Sequence, residues 1–377
     1  MIRILHIIRE YTNYEGIYTF LTKIKEATKD KGIEHYFIAK NISSGYIKND
    51  FYENEYKTIL LMDDKVHEYI DKIEPHILHF HDGEACVELI GRYEDYLNRF
   101  ACVFSVHSTV DFCPQFMNPC LNSLSRKCVD SGCIDETMFQ KCIQNIDTYR
   151  KMDIVTCLSP SVKEILLEQD FPPEKIIVLP PMIELAKEYQ KRDRNIILFA
   201  GRVAYEKGIE TLLKSLTYIM DADWDLYIAG TGLPKYMRKL IMYIKDRGLS
   251  ERVHFLGHLS RSELTEHYKI AKIFVFPSIC RETYGYAGAD AVNYGVPVIG
   301  FDCNKGSPWI IDRYNGYIVP RNDEKGFSEY ILKMIEDNDL YMSLRNNSLL
   351  LAKDLFENDQ NEQINQLYQE LIKKKGL

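Results

Sequence analysis

Two short segments of this chain carry side chains suited to chemistry on a phosphorylated ligand. The first is Phe199-Ala200-Gly201-Arg202-Val203-Ala204-Tyr205-Glu206-Lys207-Gly208. It follows an apolar, β-branched run and precedes a helical pattern, which makes it a strand-to-helix loop at the carboxyl edge of a sheet. Arg202 and Lys207 can converge there on one anion, and Gly201 and Gly208 let the backbone come close to it. A helix opening near Lys207 adds N–H donors and the positive end of its dipole. A diphosphate suits that set, although alone it is equally well read as a solvated loop with two basic residues.

The second segment is Pro277-Ser278-Ile279-Cys280-Arg281-Glu282-Thr283-Tyr284-Gly285-Tyr286-Ala287-Gly288-Ala289-Asp290. It too follows a strand and opens a helix. Glu282 falls in the loop and Asp290 about a turn into the helix. One carboxylate then meets an entering ligand, and the other lies deeper, where it can hold ribose hydroxyls. Gly285 and Gly288 leave the helix-start amides accessible to phosphate. Taken singly, either acid is the ordinary acidic preference of a helix N-terminus.

These loops need a scaffold of parallel strands and crossover helices, and the pattern supplies one. In the first half, strands are expected at 2–8, 34–39, 76–81, 102–107, 154–158 and 175–179. Helical stretches include 17–29 and 84–98, and Ser159 or Ser161 can cap a further helix. Leu179-Pro180-Pro181 and the charged run from Lys187 to Arg194 read as an interdomain linker. The alternation restarts with strands at 195–200, 224–229, 253–256, 273–276 and 297–300. Helices are expected at 209–219, 235–247 and 260–271, the last opened by a Ser260/Glu263 capping box. Beyond Asp323 the chain reads as helical through 327–337, 341–355 and 360–374. The fold class is therefore α/β, with two open sheets facing each other across a cleft at the carboxyl ends of their strands.

A chain of 377 residues, 46% hydrophobic and 27% charged, suits two soluble domains. Its formal charge of −8 argues against a nucleic-acid partner. An acidic total is compatible with a local basic pocket and with peripheral docking of one lobe on the inner face of a membrane. No apolar run is long enough to span a bilayer, and Ile2-Arg3-Ile4-Leu5-His6-Ile7-Ile8 is a first strand rather than a signal peptide. The expected location is cytoplasmic.

Ala229-Gly230-Thr231-Gly232, Gly295-Val296-Pro297-Val298-Ile299 and Asn315-Gly316-Tyr317-Ile318-Val319 stand in order with the two loops. With them the chain resembles glycosyltransferase family four, the retaining glycosyltransferases of the GT-B fold. The resemblance is strong over 195–319 and weaker in the first half. It implies two Rossmann-like domains, the N-terminal one (1–185) on the acceptor side and the C-terminal one (190–355) holding a nucleotide-sugar donor. It also implies a final helix (356–377) that packs back on the N-terminal domain, for which Ile364, Leu367, Tyr368 and Leu371 form an apolar face.

By that resemblance Arg202 and Lys207 grip the donor diphosphate, and Glu282 contacts the transferred sugar. Amides near Gly285 and Tyr286 bind sugar or phosphate, and Asp290 holds the ribose where relatives carry glutamate. Of the family's glycine-rich turn after the first strand only Gly16 is kept. His107, at a strand end in Ser105-Val106-His107-Ser108, matches a histidine that reaches the donor sugar, whereas His79 and His81 are expected to be structural. The implied reaction retains anomeric configuration and needs no cofactor or metal for catalysis. The donor is a nucleotide diphosphate sugar, with uridine diphosphate sugars first, and the acceptor a glycan, lipid-linked or protein molecule, as in polysaccharide biosynthesis.

Cys113, Cys120, Cys128 and Cys133 crowd a cysteine-rich insert at about 111–142. A cytoplasmic chain disfavours stable disulfides, and four thiols in one loop are a candidate structural zinc site. Their spacing lacks the usual close pairs, and Cys113-Pro114 resembles inserts of some family members. Other readings compete: a nucleotide-sugar epimerase or a sucrose-phosphate- or glycogen-synthase-like enzyme on the same fold, and a non-catalytic nucleotide-sugar-binding protein. A dinucleotide-dependent oxidoreductase is poorly supported, because Lys235 stands where a third glycine would follow Gly230 and Gly232.

Overall fold

The computed structural model describes residues 1–11, 16–42, 57–60, 66–110, 112–113, 123–186, 194–304, 306–357 and 360–377. The chain forms two compact units. One takes in Met1–Phe116, Asn122–Met182 and Asp359–Leu377; the other takes in Met117–Leu121 and Ile183–Asn358.

The first unit holds seven parallel strands: β1 (Ile2–Tyr11), β2 (Ile33–Ile42), β3 (Lys57–Leu60), β4 (Ile77–Phe80), β5 (Ala101–Val106), β6 (Ile154–Cys157) and β7 (Ile176–Val178). Their order across the sheet is β3-β2-β1-β4-β5-β6-β7. β4, β5 and β6 are buried at every position, as strands covered on both faces by crossover helices must be. That is why they read as continuous apolar runs. β3 was not anticipated. It is a four-residue strand paired, among the described residues, to β2 alone, and so short a run gives almost no periodic signal. The expected helix over 84–98 is two pieces, Gly83–Arg92 and Tyr96–Arg99. Of the two candidate serines, Ser159 caps the helix Pro160–Glu168, accepting from the Val162 amide.

The last helix, Gln360–Lys375, belongs to this unit. Ile364, Leu367, Tyr368 and Leu371 are all buried. The Tyr368 hydroxyl meets His79 Nδ1 at 2.8 Å, and Lys375 donates to the Leu97 carbonyl at 2.8 Å. Burying one such apolar face stabilises by several kcal/mol, at roughly 1.5–3 kcal/mol per large side chain.

The second unit holds six parallel strands: β8 (Ile196–Ala200), β9 (Asp225–Ala229), β10 (Val253–Gly257), β11 (Ile273–Phe276), β12 (Val298–Phe301) and β13 (Gly316–Val319), in the order β10-β9-β8-β11-β12-β13. The chain winds outward from β8 to β10, then returns to β11 and winds the other way. The reversal lies between β8 and β11, so the loops leaving those strands open the crevice where such sheets bind ligands. In the first unit the corresponding reversal lies between β1 and β4. The helix Arg261–Ile270 opens with the expected capping box, in which Ser260 and Glu263 satisfy each other's backbone amides.

Candidate functional site

Both sequence-singled loops leave the carboxyl ends of neighbouring strands at the reversal of the second sheet. After β8 the chain makes a short 3₁₀ turn, Tyr205–Lys207. It passes through Gly208 at φ 68° and enters the helix Ile209–Leu216. A Cβ on Gly208 would lie 1.8 Å from the Pro277 carbonyl oxygen, so only glycine allows the two loops to touch here. Beside that contact the Ile279 amide donates to the Glu206 carbonyl at 2.9 Å.

This approach brings Lys207 onto Glu282, 75 residues away, in a direct hydrogen-bonded ion pair. The pair is largely buried. Burial alone pushes the Lys207 ammonium toward losing its proton, but the Glu282 charge and hydrogen bond outweigh it and hold the lysine above its ordinary value. Arg202 acts in the opposite direction, so the two cations lie close enough to repel. Glu282 is in turn fixed by its neighbours. Ser278 donates to its carboxylate at 2.8 Å, and its own amide donates to the Asn304 side chain at 3.2 Å. Asn304 also donates to the Ser278 carbonyl.

Arg202 is 67% exposed and pairs with Glu206 at 2.7 Å, whereas the Glu206 side chain is buried. The two basic residues therefore do not converge on a vacant point. Each holds its own carboxylate, and an arriving anion competes with both. Glu206 was not singled out from sequence, although it sits inside the motif; an acid between two basic residues reads as local charge balance until its burial is known. Ser278 and Asn304 carried no signal either, since their roles depend on contacts between loops.

Gly285 and Tyr286 open the helix Tyr286–Asn293. Gly285 stands at φ 81°, and a Cβ there would lie 2.7 Å from both Phe276 and Trp309. Trp309 is fully buried and donates from its indole to the Tyr284 carbonyl. It is the floor on which this helix start rests. The Tyr286 hydroxyl is buried with no hydrogen-bond partner among the described residues, an arrangement that costs roughly 1–3 kcal/mol unless a further partner or a ligand supplies one.

Asp290 lies a turn into the helix with its side chain 15% exposed. Burial pushes its carboxyl up to about 6, and Arg261 at 3.6 Å offsets this only in part. No sequence feature distinguishes Arg261 as its partner.

In the first unit Gly16 begins the helix Gly16–Ala27, and Tyr14 and Glu15 just before it fall outside the described residues. His107 follows β5 and meets His81, which follows β4, at 3.1 Å between ring nitrogens. Cys113, Cys128 and Cys133 are described, while Cys120 lies outside the described residues. Among the described residues the only group of three metal-type ligand atoms within 4.8 Å of one another is His6, His79 and His81, not the cysteines. Cys142 sits in the core of the unit on the helix Glu136–Arg150. No helix among the described residues is long and apolar enough to cross a membrane.

Comparison with known proteins matches the chain to one family. Residues 183–349 match the model of group 1 glycosyl transferases, and residues 19–187 match that of glycosyltransferase family 4. An uncharacterized glycosyltransferase of Methanocaldococcus jannaschii is 24% identical over 294 residues, covering 70% of each chain. Sucrose-phosphate synthase from Thermosynechococcus elongatus superposes with a TM-score of 0.79 at 19% identity, covering 99% of this chain and 100% of the other. An Anabaena protein, HepE, solved in complex with UDP-glucose, superposes with a TM-score of 0.76 at 14% identity, covering 99% and 100%. These likenesses show the GT-B fold, two Rossmann-like units. The two family models together span residues 19–349, and the chain belongs to glycosyltransferase family four.

Proposed function

We propose that the protein transfers a sugar, with retention of anomeric configuration, from a nucleotide diphosphate sugar to a glycan, lipid-linked or protein acceptor. The observation that carries this reading is the buried Lys207–Glu282 pair at the reversal of the second sheet, with Arg202 beside it. A diphosphate arriving there takes over the positive charge of Lys207 and Arg202, and Glu282 is released toward the sugar it delivers. The departing nucleoside diphosphate is the main load on the transition state, and fixed cations in a water-poor site stabilise it best. Asp290 is assigned to the ribose and the Gly285–Tyr286 helix start to sugar or phosphate oxygens. His107 and Gly16 are assigned to the donor from the first unit. The HepE complex with UDP-glucose favours a uridine diphosphate sugar as the first donor to try. Attack from the face the nucleotide leaves lets a phosphate oxygen take the acceptor's proton, so no protein base is required and no metal is called on.

The test is incubation with UDP-glucose and then a panel of other nucleotide sugars, with and without simple sugar acceptors. Released nucleoside diphosphate and the anomeric configuration of the product are followed by NMR. Acceptor-dependent release with a retained configuration is expected, slowed by Arg202→Ala. Conversion of the sugar without acceptor would point to an epimerase, and binding without turnover to a non-catalytic binder; either would overturn the proposal.

A further inference from the structure

One face of the first sheet carries a row of histidines. β1 and β2 pair with Ile4 opposite His35, and β1 and β4 with His6 opposite His79. Alternation along the strands puts His6, His35, His79 and His81 on the same face. Their rings are joined nitrogen to nitrogen. His35 Nδ1 meets His6 Nε2 at 2.8 Å, His6 Nδ1 meets His81 Nε2 at 2.9 Å, and His81 Nδ1 meets His107 Nε2 at 3.1 Å. At the other end His35 Nε2 meets the Thr28 hydroxyl at 2.7 Å. A metal at His6, His79 and His81 would have to break bonds already made, because both His79 nitrogens are engaged by Tyr368 and Ser105.

The four rings of this bonded row, His35, His6, His81 and His107, are neutral at ordinary pH. Burial drives each downward, His107 to about 3 and His35 to about 4. A neutral imidazole has one N–H and one lone pair. Every contact along the row must join a donor to an acceptor, so the tautomer of one ring dictates the next. Thr28 decides the direction. Its hydroxyl lies 2.8 Å from the Ile24 carbonyl, which can only accept. If the hydroxyl proton pointed at His35 instead, two oxygen lone pairs would face each other at that distance. Thr28 therefore donates to Ile24 and accepts from His35 Nε2–H. His35 Nδ1 then accepts from His6, His6 Nδ1 from His81, and His81 Nδ1 from His107.

We propose that Thr28, His35, His6 and His81 are positioning residues that lock His107 as the Nε2–H tautomer, with its lone pair on Nδ1. The importance of that lock for catalysis rests on the donor-contact role assigned to His107 above; the lock itself does not. A histidine held this way can accept a hydrogen bond through Nδ1 and cannot donate one there. The sequence scatters the device over residues 28 to 107, and Thr28 in particular looks like any threonine near a helix end.

Nitrogen-15 NMR of the ligand-free full chain, labelled in histidine, tests it without any donor. The expected result is a proton on Nε2 of His35, His6, His81 and His107, with scalar coupling across the three ring-to-ring bonds. Thr28→Val removes the terminal acceptor and is expected to turn His107 into a mixture of tautomers; Thr28→Ser is expected to restore the single form. His79, bonded outside the row, serves as the control that the unit is folded. A proton on Nδ1 of any of the four rings would overturn the proposal. So would a His107 tautomer that Thr28→Val leaves unchanged. A silent donor assay beside the expected spectra would count against the enzymatic reading and leave the lock standing.

Discussion

The two units bury ionisable groups in opposite ways. The first buries bases and keeps them neutral: His6, His35, His79, His81 and His107 all lie below their ordinary range because burial disfavours the imidazolium. The second buries charge and acid: a lysine held charged by Glu282, and Asp290 pushed up to about 6. A neutral, hydrogen-bonded row gives fixed directionality with little desolvation cost. Buried acids and cations are costly without a ligand, and they are what a charged, hydroxyl-rich ligand would relieve. On the proposed reading the neutral row of the first unit positions His107, and the buried charges of the second meet the donor.

Acid should separate them most strongly. Each depressed histidine binds its proton more readily unfolded than folded, so its stabilisation is complete above about pH 6.5 and falls as pH drops toward the folded value. The loss is up to about 1.4 kcal/mol per pH unit for each histidine. Both tryptophans, Trp224 and Trp309, lie in the second unit, so their emission follows that unit alone. Between pH 6.5 and 5 the histidine NMR signals of the first unit should lose dispersion before tryptophan emission shifts. Simultaneous loss would break the contrast.

Asp290 carries the opposite sign. Its folded value is raised from the usual 3.8 to about 6. Its carboxyl is therefore at ease below pH 4 and costs stability as pH rises through 6, by about 2–3 kcal/mol. Asp290→Asn should raise the denaturation midpoint of the second unit at pH 8, have little effect at pH 4, and weaken nucleotide binding. A destabilised Asp290→Asn protein at pH 8 would contradict the burial argument. The smallest effect is expected from Arg261→Ala. Arg261 is 64% exposed, so losing its pairing should raise Asp290 only slightly and change stability by about 0.5 kcal/mol or less.

Much of this was legible in the sequence because it is local. The strand-loop-helix character of both motifs, the Ser260–Glu263 box and the apolar face of the last helix each occupy one short window. What the sequence concealed is set by pairing between distant segments. The Lys207–Glu282 contact depends on Gly208 letting the Pro277 loop approach, and the histidine row depends on the registers of β1, β2 and β4. His79 and His81 were expected to be structural. His79 answers to Tyr368 of the last helix, while His81 is a link in the row that ends at His107. Asp290, taken singly a helix-start acid, is singled out in the sequence by the family resemblance, while its raised carboxyl depends on burial that no short window shows.

The central claim is that Lys207 grips the donor diphosphate. It is tested most directly by following tryptophan emission on thermal unfolding with saturating UDP, GDP or ADP, in the unmodified protein and in Lys207→Ala. At least one of the three should raise the unfolding midpoint of the unmodified protein, and Lys207→Ala should lose that gain while keeping native emission. If none raises it, or if Lys207→Ala is stabilised as much as the unmodified protein, the account is wrong.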